Sequence, residues 1–198
     1  MTTQDDSIAA AKQRLRVETR ALRDVIAFAE RETRSAALIA RLQQIEGFAS
    51  AAVVHTYVGV GSEAGTLLLI KELLDHGVRV VCPRIAAGDH LEHREIASID
   101  ELVQGAIGLV EPDPTRSSEV PLSEFQMVLV PSLAFTRDGY RLGYGRGYYD
   151  RLLATCEATA IGLAFDSQMV DELPQQVHDR AVDIVVTESE TIHTGARR

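Results

Sequence analysis

Residues 127–156 read MVLVPSLAFTRDGYRLGYGRGYYDRLLATC and join an apolar segment to a glycine-rich loop and a second periodic segment. The apolar run Met127–Pro131 predicts a buried strand, and residues 148–156 predict a helix. The glycines between them are Gly139, Gly143, Gly145 and Gly147. A strand, a glycine-rich loop and a helix in this order favour an α/β fold with an anion site at the start of the helix.

The same loop is unusually rich in tyrosine and arginine. Four of the five tyrosines lie at positions 140–149, and arginines stand at 137, 141, 146 and 151. Clustered glycines let backbone N–H groups approach a ligand closely, while Arg and Tyr add charge, stacking faces and hydroxyls. We interpret the loop as a phosphate and cofactor cradle. The alternative that the composition leaves open is an irregular surface loop.

The totals describe one α/β domain over residues 1–198. The length suits one sizeable core, and 45% hydrophobic with 25% charged residues is typical of soluble globular proteins. A net charge of −9 argues against nucleic-acid and membrane surfaces as partners. The N-terminus has no apolar signal region, which predicts a cytoplasmic protein. Residues 1–6 and 190–198 are expected to be flexible.

Hydrophobic periodicity predicts two N-terminal helices followed by a βαβ unit and further strands. The helices are placed at about 7–28 and 33–46, and the βαβ unit has strands at 51–57 and 78–82 around a helix at 66–76. Pro83 is expected to end the second strand. Later strands are placed at 90–96, 126–130, 159–165 and 181–186.

Charged residues outside the loop are candidates for the same site. Lys12 and Arg16 are four residues apart and share one helix face, although a solvated face is the more common explanation of such a pair. Glu63 follows a predicted strand, where ligands bind in open parallel sheets, although a lone carboxylate in a loop is more commonly just solvated. His90 and His93 lack a third ligand and are interpreted as surface histidines rather than a metal site.

Known phosphate and nucleophile motifs are missing from the chain. There is no GxxxxGK[ST], no GxGxxG and no GxSxG. A carboxylate, Asp150, directly follows the cradle and suits Mg²⁺ bound together with phosphate oxygens. Asp179 is a second acidic candidate, with loop capping as its alternative role. The pattern favours an enzyme that uses ATP and Mg²⁺ to transfer or activate a phosphoryl group.

The segment RLGYGRGYYDR at 141–151, preceded by VPSLAF at 130–135, closely resembles the signature of the 5-formyltetrahydrofolate cyclo-ligase family. Further matches extend over nearly the whole chain, among them KQRLR at 12–16, Glu63 with Thr66, and His178-Asp179. The resemblance implies a three-layer α/β/α domain with a mostly parallel sheet, similar to the ribose-5-phosphate isomerase and CoA-transferase group. It also implies conversion of 5-formyltetrahydrofolate to 5,10-methenyltetrahydrofolate with ATP and Mg²⁺.

The resemblance assigns roles to individual residues. ATP is expected to contact Lys12, Gln13, Arg14, Leu15, Arg16, Arg141, Leu142, Gly143, Tyr144, Gly145, Arg146, Gly147, Tyr148 and Tyr149. The reduced folate is expected to contact Val58, Glu63, Tyr144 and Tyr148, and Mg²⁺ to be held by Asp150 and Asp179. The expected partners are ATP and reduced folate, with no nucleic acid and no membrane, and the protein is expected to be a monomer.

One departure from the family pattern concerns the folate pocket, where Leu91-Glu92-His93 replaces a more usual Met-Glu-Phe sequence. This departure motivates an alternative, a paralogue that binds a nucleotide or a pterin without closing the ring. A sugar-phosphate isomerase, suggested by fold analogy alone, lacks an acid–base set in this chain.

Overall fold

The computed structural model describes residues 3–88, 90–105 and 108–196 of the chain. Within them the helices are α1 (Thr3–Asp24), α2 (Phe28–Leu42), α3 (Leu67–Asp75) and α4 (Tyr148–Thr155). The strands are β1 (Val53–His55), β2 (Arg79–Ala86), β3 (His90–Ile96), β4 (Leu102–Gln104), β5 (Val110–Pro112), β6 (Ser118–Glu119), β7 (Met127–Pro131), β8 (Ala134–Phe135), β9 (Arg141–Leu142), β10 (Thr159–Leu163), β11 (Ile184–Val186) and β12 (Thr191–His193).

Eight of these strands form one sheet in the order β12-β11-β10-β7-β1-β2-β3-β6. Its five central strands, from β11 to β2, are parallel to one another. The outer strands β12, β3 and β6 pair antiparallel with their neighbours. Two small antiparallel pairs, β4-β5 and β8-β9, lie outside this sheet. The expected mostly parallel sheet is therefore confirmed.

The central strands are apolar on both faces because helices cover both. In β7, Leu129 belongs to the core that contains Leu38 of α2 and Ile70 of α3. Its neighbour Val128 points to the opposite face and joins the core that contains Leu152 of α4. Continuous apolar runs are typical of parallel strands buried on both faces. The two cores establish the three-layer α/β/α arrangement.

The order of strands reverses between β1 and β7. The chain proceeds from β1 to β2 on one side, and from β7 to β10 and β11 on the other. Loops that leave the carboxyl ends of β1 and β7 therefore diverge and leave a crevice between them, which is the usual ligand position in open α/β sheets. Residues 56–66, which we call the Glu63 loop, follow β1, and the glycine-rich loop follows β7. Both loops therefore open at this crevice.

The predicted boundary between the first two helices is wrong. We expected helices at 7–28 and 33–46, whereas α1 ends at Asp24 and α2 begins at Phe28. No glycine or proline marks this turn. It is fixed by tertiary contacts, since Ile26 enters the core and the Asp24 side chain accepts a hydrogen bond from the Ser62 hydroxyl.

Pro83 does not end β2 as the sequence predicted, because the strand continues to Ala86. The register with β1 stops at Val81, so Pro83 has a strand partner only on the β3 side, opposite His93. A proline is tolerated where one side of a strand needs no N–H donor. The extension carries Pro83 and Ile85 past the end of β1.

The segments expected to be flexible contain regular structure. Residues 3–6 belong to α1, and residues 191–193 form β12 beside β11. Residues 1–2 and 197–198 lie outside the described residues. In the part of the chain that the structure describes, none of the helices has the length and apolarity needed to cross a membrane.

Candidate active site

A cavity of about 680 Å³ opens at the crevice between β1 and β7. Its walls include one face of α1, the loop after β1, the extended end of β2, the glycine-rich loop, and Gln176, His178 and Asp179. These segments are far apart in sequence and meet because of the strand order. The size suits small-molecule ligands.

One wall is a row of basic residues on α1. Lys12, Arg16, Arg20 and Arg23 all line the cavity, at spacings of four, four and three residues. Lys12 is only 7% exposed, so the alternative of a solvated face does not hold for it. Its ammonium donates to both carboxylate oxygens of Asp179, at 2.8 and 2.6 Å.

The expected ATP segment 12–16 does not line the cavity continuously. Gln13 and Arg14 are exposed, and Leu15 packs beside the small cluster of Ala134, Leu142 and Leu173. Helical periodicity explains the difference, because only residues 12 and 16 of this segment share the inward face. Gln13 still contributes, since its side-chain oxygen accepts a hydrogen bond from Arg16 at 3.3 Å.

The glycine-rich loop forms the opposite wall, and residues 141–150 all border the cavity. Gly145 and Gly147 have positive φ values of 99° and 66°, which side-chain-bearing residues rarely adopt. A Cβ on Gly145 would lie 3.4 Å from the Arg16 guanidinium carbon. Arg16 Nε donates to the Gly143 carbonyl at 2.9 Å, so α1 holds this loop directly.

The helix α4 begins at Tyr148, immediately after the loop, with Gly147 at its N-cap. The first-turn residues Tyr148, Tyr149 and Asp150 border the cavity. Unpaired N–H groups and the helix dipole favour an anion at such a helix start. The glycine-rich loop and the start of α4 therefore border the same cavity as the basic residues of α1.

Asp150 and Asp179 border the cavity, and each is already paired with a cation. Asp150 accepts from Arg141 Nη2 at 2.7 Å and from the Arg180 amide at 3.2 Å. Burial lowers the pKa of the Arg141 guanidinium, and the charges of Asp150 and Asp179 oppose this effect. The positive charge of Arg141 thus interacts favourably with the carboxylates of both Asp150 and Asp179.

The described residues contain no group of three or more His, Cys, Asp or Glu side chains able to hold a metal ion by themselves. Mg²⁺ usually keeps several waters and takes one or two carboxylates together with substrate phosphates. Two carboxylates beside an anion cradle fit this mode of binding. They do not fit a metal site built from protein ligands alone.

Glu63 lies at the other end of the cavity, and its side chain is 8% exposed. Its Oε2 accepts from the Val60 amide at 3.0 Å, and the Tyr144 hydroxyl donates to its Oε1. Burial raises the pKa of Tyr144, and the Glu63 charge raises it further. The solvated-carboxylate alternative is therefore wrong for Glu63, and Tyr144 links the glycine-rich loop to the Glu63 loop.

His93 is half-buried rather than an exposed surface residue, contrary to our interpretation of the sequence. Its Nδ1 lies 3.1 Å from His55 Nε2, and the two rings pack with Phe125. Burial lowers the pKa of His93 to about 4 and lowers that of His55 well below its usual range. The pair is neutral at neutral pH, and the His55 ring lies edge-on to Tyr149 on the cavity wall.

Two buried polar atoms of cavity-lining residues, Arg141 Nε and Tyr149 Oη, lack a hydrogen-bond partner among the described residues. Buried donors without partners are rare and costly in native proteins. A polar ligand in the cavity is a source of such partners.

Several residues that were not predicted as site residues also line the cavity, namely Arg20, Arg23, Tyr57, Pro83, Ile85, Leu109, Glu111 and Gln176. Helical spacing from Lys12 and Arg16 was a usable signal for the two arginines. Glu111 was not expected to line the site, and it reaches from β5 to accept a hydrogen bond from the Ile85 amide at 3.2 Å. Leu91, which departs from the family pattern, does line the cavity.

Comparison of this chain with a family model, with curated proteins and with solved structures identifies related proteins of one kind. A family model described as the 5-formyltetrahydrofolate cyclo-ligase family matches residues 8–188. The 5-formyltetrahydrofolate cyclo-ligase of Mycolicibacterium smegmatis is 39% identical over 148 residues, which cover 70% of this chain and 74% of that protein. The structure of 5,10-methenyltetrahydrofolate synthetase from Aquifex aeolicus matches with a TM-score of 0.84 at 29% identity and covers 94% of each chain.

Proposed function

We propose, because the chain belongs to the 5-formyltetrahydrofolate cyclo-ligase family, that it converts 5-formyltetrahydrofolate and ATP to 5,10-methenyltetrahydrofolate, ADP and phosphate. The observation that supports this most directly is the single cavity that contains the basic face of α1, the glycine-rich loop and Glu63. An enzyme that phosphorylates a folate needs an anion site and a site for the pterin next to each other. In this proposal the end of the cavity near Lys12 provides the anion site, and the end near Glu63 provides the pterin site.

ATP phosphates occupy the end near Lys12, Arg16 and the glycine-rich loop in this proposal. Two side-chain cations and the start of α4 converge there. Positive charge lowers the barrier to phosphoryl transfer, because an anionic phosphate repels an incoming nucleophile. Lys12 is held in place by Asp179 and Arg16 by the Gly143 carbonyl, so neither cation has to be ordered by the ligand.

Asp150 and Asp179 would hold Mg²⁺ together with phosphate oxygens and water. The ion would supply further neutralisation of charge on the transferred phosphoryl group. Arg141 is buried and donates to Asp150, which keeps that carboxylate at the edge of the proposed anion site.

The formyl oxygen of the folate attacks the γ-phosphorus, and the bond from that phosphorus to the bridging oxygen of ADP breaks. The former formyl carbon then carries a phosphate leaving group. N10 attacks this carbon, its proton is lost, and phosphate departs with the oxygen. Glu63 accepts hydrogen bonds from pterin N–H groups and keeps the folate at the end of the cavity that contains Val58, where the apolar walls of Pro83 and Ile85 exclude water.

The purified protein is expected to convert 5-formyltetrahydrofolate to a product with the ultraviolet absorbance of methenyltetrahydrofolate only when ATP and Mg²⁺ are both present. Release of ADP should equal the product formed. Binding of folate and nucleotide without any such absorbance change would contradict the proposal and favour the non-catalytic paralogue. Omission of ATP, of Mg²⁺ or of folate provides the controls.

Lys12→Ala is expected to raise the KM for ATP by about tenfold or more, since a buried charge-assisted contact contributes on the order of 1.5–3 kcal/mol. The KM for folate should change little. Lys71→Ala is the matched control, because the only other lysine of the chain forms an exposed pair with Asp75. Initial rates at varied ATP and at varied folate measure both constants. A rise confined to the folate KM would show that Lys12 serves the other ligand.

A further inference from the structure

Arg23 is the last of the basic residues on the cavity face of α1, and it is only 4% exposed. It lies eleven residues after Lys12, which corresponds to about 16 Å along a helix. This distance places it away from the proposed phosphate end. Its neighbours are residues of the Glu63 loop.

The guanidinium of Arg23 contacts this loop at two points. Its Nε donates to the Ser62 hydroxyl at 3.0 Å, and that hydroxyl in turn donates to Asp24. Its Nη1 lies 4.0 Å from Glu63 Oε1, within ion-pair range. Arg23 and Asp24 therefore hold Ser62 from the end of α1, and Arg23 supplies a positive charge beside Glu63.

Arg23 also faces the glycine-rich loop. Its guanidinium carbon lies 6.0 Å from the centre of the Tyr144 ring, and the hydroxyl of that ring donates to Glu63. One buried cation thus adjoins the carboxylate and the tyrosine that contacts it. A buried carboxylate is costly unless it is paired and hydrogen-bonded.

Hydrogen bonds hold the two ends of this loop, whereas its centre is rich in glycine. Gly59, Gly61 and Gly65 surround Ser62 and Glu63, and Gly61 has a positive φ of 61°. Within the loop, the Val60 amide fixes only one oxygen of Glu63. The orientation of the other oxygen depends on groups outside the loop, which are Arg23 and Tyr144.

We propose that Arg23 is a positioning residue for the reduced folate, which acts by holding the Glu63 carboxylate oriented toward the pterin N–H donors. This inference rests on the proposed function for the identity of the ligand. It makes α1 a support for both substrates, with Lys12 and Arg16 at the ATP end and Arg23 at the folate end. Arg23 does not itself touch the reacting atoms.

Arg23→Met should raise the KM for 5-formyltetrahydrofolate, and its dissociation constant measured without ATP, by about tenfold or more. The KM for ATP should stay within about twofold. Arg23→Lys should recover part of the loss because it restores the charge without the bond to Ser62. Arg137→Met is the matched control, since Arg137 forms an exposed pair with Glu190 outside the cavity.

A double-mutant cycle with Glu63→Gln separates positioning from general destabilisation. If Arg23 acts through Glu63, Arg23→Met should change folate affinity much less in the Glu63→Gln background than in the wild type. Equal effects in both backgrounds, or equal increases in the two KM values, would overturn the inference. Melting temperatures are measured alongside, and Arg23→Lys carries the cycle if Arg23→Met does not fold.

Direct titration with folate keeps this inference distinct from the proposed function. A wild type that binds folate without turning it over, with binding weakened by Arg23→Met, would refute the proposed reaction and support the positioning role. An active wild type with unchanged folate affinity in Arg23→Met would do the reverse. A wild type that binds no folate would refute both.

Discussion

Asp150→Asn is expected to lower kcat by about 100-fold or more, a loss typical of removing one preorganised electrostatic group from an active site. Asparagine keeps the size of the side chain and can still accept from Arg141 and from the Arg180 amide. It loses the negative charge that a magnesium ion requires. The remaining activity should therefore need a higher Mg²⁺ concentration to reach half its maximum.

Rates at a series of Mg²⁺ concentrations, with ATP saturating, measure both effects. The control is Asp171→Asn, which removes the charge of an exposed carboxylate outside the cavity. A kcat within about threefold of the wild type at ordinary Mg²⁺ would show that Asp150 serves only to hold Arg141.

Acidification is expected to destabilise the fold between pH 6.5 and about 4, because the paired imidazoles of His55 and His93 are buried. In the unfolded chain both bind a proton below their usual pKa of 6.5, whereas in the folded state His93 stays neutral to about pH 4 and His55 remains neutral as well. The unfolded state thus binds more protons throughout this interval. The free energy of unfolding therefore decreases as the pH is lowered, by up to about 1.4 kcal/mol per pH unit for each excess proton. The decrease is smaller for His93, which is partly exposed.

Denaturant unfolding at pH 7 and pH 5 gives the slope. His93→Leu should flatten it, since one of the two excess protons is removed, while the exposed His76→Gln should parallel the wild type. Parallel slopes for His93→Leu and the wild type would contradict the assignment. Comparing slopes avoids the separate cost of leaving His55 Nε2 without its partner.

The parts of the fold that could be predicted are those in which local pattern and tertiary environment agree. Strand β3 was predicted with its observed limits, 90–96, and the run before Pro131 gave β7 to within one residue. The first helix boundary failed because Ile26 and the Ser62–Asp24 contact, rather than any breaker residue, end α1. The predicted end of β2 at Pro83 was wrong because a proline destabilises a strand little where only one side of the strand is paired.

For the candidate site, the sequence predicted several of the charged groups that the cavity brings together. Lys12, Arg16, Asp150 and Asp179 all line it, as does Glu63. It did not predict Arg23, because whether a helical arginine is solvated depends on what packs opposite it. His93 failed for the same reason, since its burial comes from Phe125 and His55, which are distant in the sequence.

Lys12 and Asp179 are separated by 167 residues along the chain. Closing a flexible loop of that length would cost about 4.5 kcal/mol in chain entropy, which exceeds what one ion pair returns. The pair cannot draw the two segments together by itself. Formation of the sheet offsets this cost, because pairing of the parallel strands brings their carboxyl ends, and with them the two charges, to one edge. This end of the cavity is accordingly a property of the assembled tertiary structure, and a fragment of the chain that lacks either Lys12 or Asp179 does not contain it.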